Sequence, residues 1–318
     1  MSARVRSEAA DALPSDEQRT YLLSQFDYSV SLERIDYRGT GLSRPECILA
    51  QHNGVLWISD DKSGVLKLSP DGAQTRIGQV GGAPNGIAMD KDGSFVIANI
   101  DLCSIQRLQR SGASRTVVDE LDGKPLGAVN FVLFDSAWRL WVSVSTLANP
   151  RRLAIEEPRP DGYVMLIEDN RARVVADGFY FTNEIRFNTD ETVLYVAETA
   201  RGRITAFDVA RSGELSNRRI FGPDGLWPGA LVDGVTVDSE DVLWVTEITR
   251  NGLIAIPPSQ EPVVVALDPG GERMSFPTSV TFGGSDLREV YVGSLKMDRL
   301  VHFRADVPGV RPVHWMLE

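Results

Sequence analysis

Six polar side chains recur at one place in a repeated pattern, each just before a short apolar strand. The pattern returns roughly every 40 to 50 residues. Two of these side chains are carboxylates and three are carboxamides, oxygen ligands that suit Ca²⁺, Mg²⁺ or Mn²⁺. If the fold brings them together, a divalent cation would offset the repulsion between the carboxylates; a water-filled polar channel is the alternative. The leading residues are Glu46, Asn85, Asn130, Asn183, Asp233 and Ser279.

The elements that must position these side chains are β-hairpins. The clearest copy covers residues 181–199, where an alternating strand, a turn at Asn188 to Asp190 and an apolar strand follow one another. A period of this length is typical of propeller blades with four strands each. Six copies therefore predict an all-β fold, a six-bladed β-propeller. The first strand of each blade would lie innermost, with its leading residue directed at the central channel.

The repeats run end to end, so the 318 residues are predicted to form one propeller domain over residues 29–318. Residues 1–28 would be an N-terminal extension. Its Ser15 to Gln18 stretch resembles a capping box and predicts a short helix with an apolar stripe. The strand pattern of residues 30–37 is expected to pair with the last strand, residues 300–304, which would close the ring and remove a free sheet edge.

Charge and composition restrict the partners. The net charge of −11 and the pI of about 4.9 argue against non-specific nucleic-acid binding, which needs a basic face. The early part of the sequence has no apolar segment of the kind that a secretory signal contains. No apolar run is long enough to span a membrane. With only two cysteines, a reducing cytoplasm is the expected location. The expected partner is a small-molecule substrate, and the chain is expected to be a monomer or homodimer.

Four motifs together resemble the SMP-30/gluconolactonase/luciferin-regenerating-enzyme family. They occupy residues 183–187, 213–221, 232–238 and 282–287, and the resemblance extends over about residues 43–301. It implies a six-bladed propeller with one catalytic divalent cation near the axis. Calcium is favoured, with magnesium, manganese, zinc or iron as alternatives. The metal ligands that the resemblance implies are Glu46, Asn130, Asn183 and Asp233.

The implied chemistry is the opening of a lactone by water. A cation can polarise the ester carbonyl and lower the pKa of a bound water, and a carboxylate must take the proton. The resemblance assigns that role to Asp233, with Glu184 as an alternative base, although alternation along a strand would direct Glu184 away from Asn183. Asn85, Asn130 and Glu184 are the candidate substrate-binding residues.

The sequence departs from the family pattern around the substrate pocket. Ala128 stands where the family usually has Arg, Phe131 replaces an Asp, Glu184 replaces a Gly and Asn149 replaces an acidic residue. The metal ligands of the family are therefore expected to be present in this chain, whereas the family's sugar-acid pocket is matched less well. Two alternatives remain open: a hydrolase, lyase or isomerase that acts on another electrophile at the same metal, and a non-catalytic Ca²⁺-binding propeller.

The longest irregular stretch, residues 147–161, follows the hairpin that carries Asn130. Loops of this length in compact domains are often lids or binding loops. Arg151, Arg152 and Arg159 lie in this loop and could hold a substrate carboxylate. A solvated surface loop is the alternative.

Overall fold

The structure is a computed structural model that describes residues 26–258 and 261–317. Within these ranges the chain forms six antiparallel sheets of four strands each. The first strands of neighbouring sheets contact one another and close a ring around a central axis. The predicted all-β, six-bladed propeller is thus confirmed, and the first strand of each blade is the innermost one.

The first three blades follow one another along the chain, and a small hairpin, β10–β11, joins the second to the third. Their strands are β2 (Ile48–Ala50), β3 (Leu56–Ser59), β4 (Val65–Leu68), β5 (Gln74–Ile77), β6 (Pro84–Met89), β7 (Phe95–Asn99), β8 (Ser104–Leu108), β9 (Ser114–Val118), β10 (Glu120–Leu121), β11 (Lys124–Pro125), β12 (Val129–Phe134), β13 (Leu140–Val144), β14 (Gly162–Glu168) and β15 (Arg171–Phe179).

The last three blades repeat the arrangement, and helices are few and short. The one described α-helix, α1 (Leu153–Glu156), lies in the long loop of blade 3, and 3₁₀ turns cover Leu32–Arg34, Thr199–Arg201 and Val313–Leu317. The strands are β16 (Thr182–Phe187), β17 (Val193–Glu198), β18 (Arg203–Val209), β19 (Leu215–Phe221), β20 (Val232–Val237), β21 (Leu243–Glu247), β22 (Gly252–Ile256), β23 (Val263–Leu267), β24 (Pro277–Gly283), β25 (Glu289–Ser294), β26 (Leu300–Arg304) and β1 (Asp36–Arg38).

The ring closes as expected, by pairing the start of the propeller with its end. Strand β1 is the outermost strand of blade 6 and pairs antiparallel with β26, with Asp36 opposite His302. The strand predicted over residues 30–37 is shorter than expected, because residues Leu32–Arg34 form a 3₁₀ turn capped by the Ser31 hydroxyl. The predicted N-terminal helix lies outside the described residues. The boundary between residues 28 and 29 stays a prediction.

Tryptophans of the second strands hold pairs of blades together. Trp141 of blade 3 packs edge-on against Phe187 of blade 4, with ring centroids 5.3 Å apart. Equivalent contacts join Trp57 to Phe95 and Trp244 to Phe282, each at 5.1 Å. Trp141 and Trp244 are almost wholly buried. The blades therefore bury one another's faces, as a propeller of small sheets must.

Each of these indoles also donates a hydrogen bond to the side chain six positions earlier in the chain. The acceptors are Gln51 at 2.8 Å from Trp57, Asp135 at 2.9 Å from Trp141 and Asp238 at 2.9 Å from Trp244. Each acceptor lies in the turn directly after the inner strand. The hydrogen bond therefore holds this turn against the second strand, which carries the tryptophan. A buried N–H must find such a partner, because leaving it unpaired is costly.

We expect Trp141→Phe to lower the free energy of unfolding by about 1–3 kcal/mol, since it leaves the buried Asp135 carboxylate without one donor. Trp138→Phe is the matched control. Trp138 is half-buried, and its indole N–H has no hydrogen-bond partner among the described residues. Denaturant titration of both variants gives the comparison. Equal losses would mean that ring size, not the hydrogen bond, matters.

The C-terminal segment, residues 309–317, crosses one end of the central channel. Gly309 pairs with Asp238 of blade 5, and Val313 packs against the apolar cluster that contains Phe134 of blade 3. His314 Nε2 then donates to the Ala50 carbonyl of blade 1 at 2.8 Å. The segment therefore forms a floor at the end of the channel where the inner strands finish.

His314 should make stability depend on pH. Burial lowers the pKa of its imidazole to about 4, and the positive charge of Arg186 acts in the same direction. Between about pH 6.5 and pH 4 the unfolded chain takes up a proton that the folded chain does not, so stability falls as pH falls through this window. Relative to His314→Gln, the native chain should lose up to about 3 kcal/mol at the acid end. Denaturant titrations at several pH values test this, and a pH-independent difference would contradict it.

Candidate active site

The six leading residues of the repeats all lie at the starts of inner strands, around one end of the central channel. All six are buried, with exposures between 1% and 6%. Because the inner strands touch in sequence around the axis, side chains far apart in the chain become neighbours. This end of the channel is called the polar ring below, and its members are Glu46, Asn85, Asn130, Asn183, Asp233 and Ser279.

In blades 2 to 6, a β-bulge at the start of the inner strand contains the leading residue, whereas blade 1 has none. In blade 4, Thr182 pairs with Glu198 but Ile185 pairs with Val196, so Asn183 and Glu184 are bulged out of the ladder. A bulge re-aims side chains and breaks strict alternation. The equivalent shifts in the other blades lie between Pro84 and Ile87, Val129 and Phe131, Val232 and Val235, and Pro277 and Val280.

Glu184 is the residue for which the expected alternation was wrong. The bulge leaves it buried, with Oε2 accepting a hydrogen bond from Val235 N of blade 5 at 3.0 Å. Gly86 and Gly234 hold the corresponding positions in other blades. A side-chain carbon at Gly86 would lie 2.6 Å from Phe131 Cα, and one at Gly234 would lie 2.4 Å from Thr278 O. Glu184 therefore introduces a carboxylate where glycine permits close packing of inner strands.

A chain of hydrogen bonds fixes the amides of the ring. Arg44 Nη2 donates to Asn85 Oδ1 at 2.6 Å, and Asn85 Nδ2 donates to Asn130 Oδ1 at 3.2 Å and to its backbone oxygen at 3.0 Å. Asn130 Nδ2 then donates to Ser145 Oγ at 3.0 Å. Every amide in this chain points its oxygen toward the preceding donor. The Asn130 oxygen is thus already engaged by Asn85.

Two buried oxygens of the ring have no hydrogen-bond partner among the residues that the structure describes. Asn183 Nδ2 donates to Thr199 Oγ1 at 2.9 Å, which leaves Asn183 Oδ1 unpaired. Glu46 Oε2 also accepts no hydrogen bond and has only an ionic contact with Arg44 Nη2 at 3.4 Å. Buried unpaired oxygens are costly and call for an explanation, and an unseen ion is one. Both atoms belong to residues predicted to bind metal.

Electrostatics at the ring favour a cation. Burial raises the pKa of Asp233 well above its usual range, and the negative charges of Glu46 and Glu184 raise it further. Burial likewise raises the pKa of Glu46, against the opposing charge of Arg44. Burial raises the pKa of Glu184 to about 7. Three buried carboxyl groups within electrostatic reach of one another oppose ionisation, and a bound cation would remove that opposition.

The residues present fit a divalent cation held by mixed oxygen ligands. In residues 26–258 and 261–317, no cluster of three or more His, Cys, Asp or Glu side chains has the spacing of a metal site. A cation at the ring must therefore use carboxamide oxygens beside the carboxylates of Glu46 and Asp233. The unpaired oxygen of Asn183 is suited to that, since oxygen ligands of this kind are what hard cations accept.

Charged side chains surround the mouth of the ring. Arg44, 18% exposed, lies 3.8 Å from Asp61 as well as near Glu46. In the loop over residues 147–161, Arg151 forms an ion pair with Asp101, and its charge lowers the pKa of Glu46 in opposition to burial, the larger effect. The other two arginines of the loop point elsewhere: Arg152 pairs with Glu156, and Arg159 lies 3.5 Å from Glu157.

Three residues at the site were not anticipated from the sequence. Arg44, Ser145 and Thr199 contact the polar ring directly. Arg44 stands two residues before Glu46, a spacing that could have placed it near the channel. Ser145 and Thr199 follow the second strands of their blades, and nothing in their local sequence distinguishes them from other hydroxyl residues at strand ends.

Comparison with known proteins places most of the propeller in one sequence family. Residues 44–296 match a sequence model described as the SMP-30/gluconolactonase/LRE-like region. A 6-deoxy-6-sulfogluconolactonase from Pseudomonas putida is 25% identical over 171 residues, 54% of this chain and 55% of that protein. Regucalcin from Xenopus laevis is 26% identical over 215 residues, 67% and 69% of the two chains. The chain thus matches little more than half of the Pseudomonas protein's length.

Solved structures are similar in fold. A luciferin-regenerating enzyme superposes with a TM-score of 0.71 at 21% identity, covering 86% of this chain and 95% of the other. A gluconolactonase from Xanthomonas campestris gives 0.67 at 21% identity, covering 84% and 88%. Among the described residues, none of the helices has the length and apolar character needed to span a membrane.

Proposed function

The chain belongs to the SMP-30/gluconolactonase/LRE-like family, and from that premise we propose that it is a hydrolase that opens a lactone ring with the help of one divalent cation. The observation that carries this is the polar ring, where buried oxygens of Glu46 and Asn183 stand unpaired. The negative charge of Glu46 raises the pKa of Asp233, and Asn183 acts in the opposite direction, so the three residues influence one another at the ring. The gluconolactonases among its relatives support the reaction class.

Glu46, Asn183 and Asp233 would hold the cation. Asn130 is the fourth predicted ligand, but its oxygen accepts a hydrogen bond from Asn85, so it would join only if that bond were given up. Calcium is favoured because the family resemblance implies it and a solved structure of similar fold is described as a calcium-binding regucalcin; magnesium, manganese, zinc or iron are alternatives. When bound, such a cation polarises the lactone carbonyl and lowers the pKa of a water molecule.

The proton of the attacking water must go to a group of the protein. We assign this to the Asp233 carboxylate, because it is buried in the ring and no cationic side chain forms an ion pair with it among the described residues. The water oxygen bonds to the carbonyl carbon, the bond from that carbon to the ring oxygen breaks, and the ring oxygen takes the proton. The product is a hydroxy acid.

Glu184 and Asn85 would shape the pocket around the reacting ester. Glu184 is held by Val235 N from the next blade and remains the alternative base. Asn85 is engaged at both ends, by Arg44 and by Asn130, so we assign it a positioning role instead of the direct substrate contact first expected. Asn130 is likewise oriented by hydrogen bonds and would contact substrate or cation only after rearranging.

Two arginines at the mouth of the ring would contact a polar lactone that carries a negative group. Arg44 and Arg151 both stand near Glu46, one through a 3.4 Å contact and the other through its charge. The Pseudomonas relative is named for a sulfonated sugar lactone, which agrees with such a preference. A small-molecule substrate is the proposed partner. The cytoplasmic location and the monomeric or dimeric state stay predictions.

A lactone panel tests the proposed function. The native protein, supplied with each divalent cation in turn, should hydrolyse glucono-1,5-lactone or an anionic sugar lactone faster than an uncharged aliphatic γ-lactone. Hydrolysis of none of them would refute the proposal. Activity on apolar lactones or other electrophiles alone would favour the second candidate, a different reaction at the same cation, which Ala128 and the buried Phe131 support.

A further inference from the structure

A second cavity lies at the opposite end of the central channel from the polar ring. It has a volume of about 350 Å³, within the range of small-molecule sites. Its walls are the later halves of the six inner strands, from Leu49 in blade 1 to Phe282 in blade 6. Its floor is the C-terminal segment, with Val313 and Met316 facing it. The cavity is therefore built by the same strands as the ring but from different residues.

The walls are mostly apolar and include aromatic rings. Ile87, Met89, Phe131 and Phe134 line the side formed by blades 2 and 3, and each is under 9% exposed. On the floor, Met316 is 58% exposed at the edge of the cavity. A ligand that enters here would bury an apolar body against these side chains, which is the main source of affinity in such pockets.

Two arginines line this cavity, and both have spare hydrogen-bonding capacity. Arg311 is exposed at its edge and donates one hydrogen bond, to the Trp315 carbonyl at 3.0 Å, whereas Arg186 lies deeper among the inner strands. Arg186 donates a single hydrogen bond within the described part of the chain, from Nε to the Val235 carbonyl at 3.1 Å, and its guanidinium lies 5.6 Å from the Phe131 ring. Its only ionic contact there is with Glu184 Oε2 at 3.9 Å, too long for a hydrogen bond. A guanidinium has five N–H donors, so most of those of Arg186 are available.

The acidic side chains of the lining are, by contrast, already engaged. Asp190 Oδ1 accepts from Asn188 and Thr192 in its own turn. The Glu191 carboxylate accepts from the backbone nitrogen and hydroxyl of Ser136. The lining therefore offers free N–H donors on its arginines, whereas its carboxylates already accept hydrogen bonds. An anionic group with two acceptor oxygens matches a guanidinium best.

We propose that this cavity binds a small amphiphilic carboxylate, with the carboxylate on Arg186 and the apolar body against Ile87, Phe131 and Phe134. The lining includes none of the six residues of the polar ring, although Arg186 contacts Glu184 beside it, and the proposal does not rest on the lactone chemistry. The carboxylate would replace the long contact that Arg186 makes with Glu184. The open edge beside Met316 provides the entrance.

Decanoate is the probe, and decanol is its neutral counterpart of equal chain length. Titration calorimetry on the full chain should show one decanoate site and at least about tenfold weaker binding of decanol, because a hydrogen-bonded charge contributes about that factor. Arg186→Met should reduce decanoate affinity to the level of decanol. Arg152→Met, which changes an exposed loop arginine, should leave it unchanged.

Two further measurements locate the site. Val313→Trp fills the floor while keeping Arg186, so decanoate binding should fall at least tenfold. Asp233→Asn should leave decanoate binding unaltered, which separates this cavity from the lactone site. If Arg186→Met fails to fold, the decanoate-to-decanol ratio of the native protein still decides. Equal affinities, several weak sites or insensitivity to Val313→Trp would each overturn the proposal.

Discussion

Replacing Asp233 with asparagine is expected to lower kcat for lactone hydrolysis by roughly 10²–10⁴-fold, the range that a positioned acid or base contributes. The asparagine keeps the size and buried position of the side chain but cannot take a proton from water. It also removes one of the two carboxylates proposed to hold the cation. Two losses should therefore appear together: slower turnover in steady-state assays and weaker cation binding in calorimetric titration.

The matched control is Asp241→Asn. Asp241 belongs to the same blade, in the turn after the inner strand, and its carboxylate accepts a hydrogen bond from the Thr189 backbone nitrogen. It lies at φ = 59°, a conformation that asparagine tolerates, so the fold should be kept. Its turnover should equal that of the native chain. Native-like activity in Asp233→Asn would transfer the base role to another group, with Glu184 the first to examine.

The fold could be predicted from the sequence repeat because every blade is built from the same elements in the same order. A leading polar residue, a turn and an apolar strand recur with one spacing, so the copies identify one another even where a single copy is weak. The same spacing predicts that Glu46, Asn183 and Asp233 lie around one axis. Closure of the ring by β1 and β26 followed from the need to cover a sheet edge.

The contacts between residues at the site could not be predicted from the repeat. Strict alternation does not hold at Glu184, because the bulge between Thr182 and Ile185 is a property of two paired strands and not of one. Arg44 reaches Asn85 in the next blade, a contact between residues of different repeats that no local pattern encodes. The floor formed by His314 likewise depends on where the chain end lies in space.

Removing divalent cations with a chelator is expected to slow lactone hydrolysis by at least about 100-fold. Loss of even one electrostatic contact to the reacting oxygen has an effect of this size. Activity should return when a single cation is added back. The same treatment should lower the melting temperature, because the buried carboxyls of Glu46 and Asp233 would then have only the Arg44 guanidinium as an opposing charge. Ligand present at 100 times its Kd stabilises a folded protein by about 2.7 kcal/mol.

Combining the two measurements discriminates between the candidate functions. A catalytic cation makes both activity and melting temperature depend on the metal, whereas a non-catalytic Ca²⁺-binding propeller would show only the thermal shift. Glu46→Gln is the informative variant, since it keeps the size of the side chain and removes the charge. It should lose the thermal response to calcium together with activity. If Glu46→Gln still melts higher with calcium, the cation binds elsewhere, and the unpaired oxygens of Glu46 and Asn183 need another explanation.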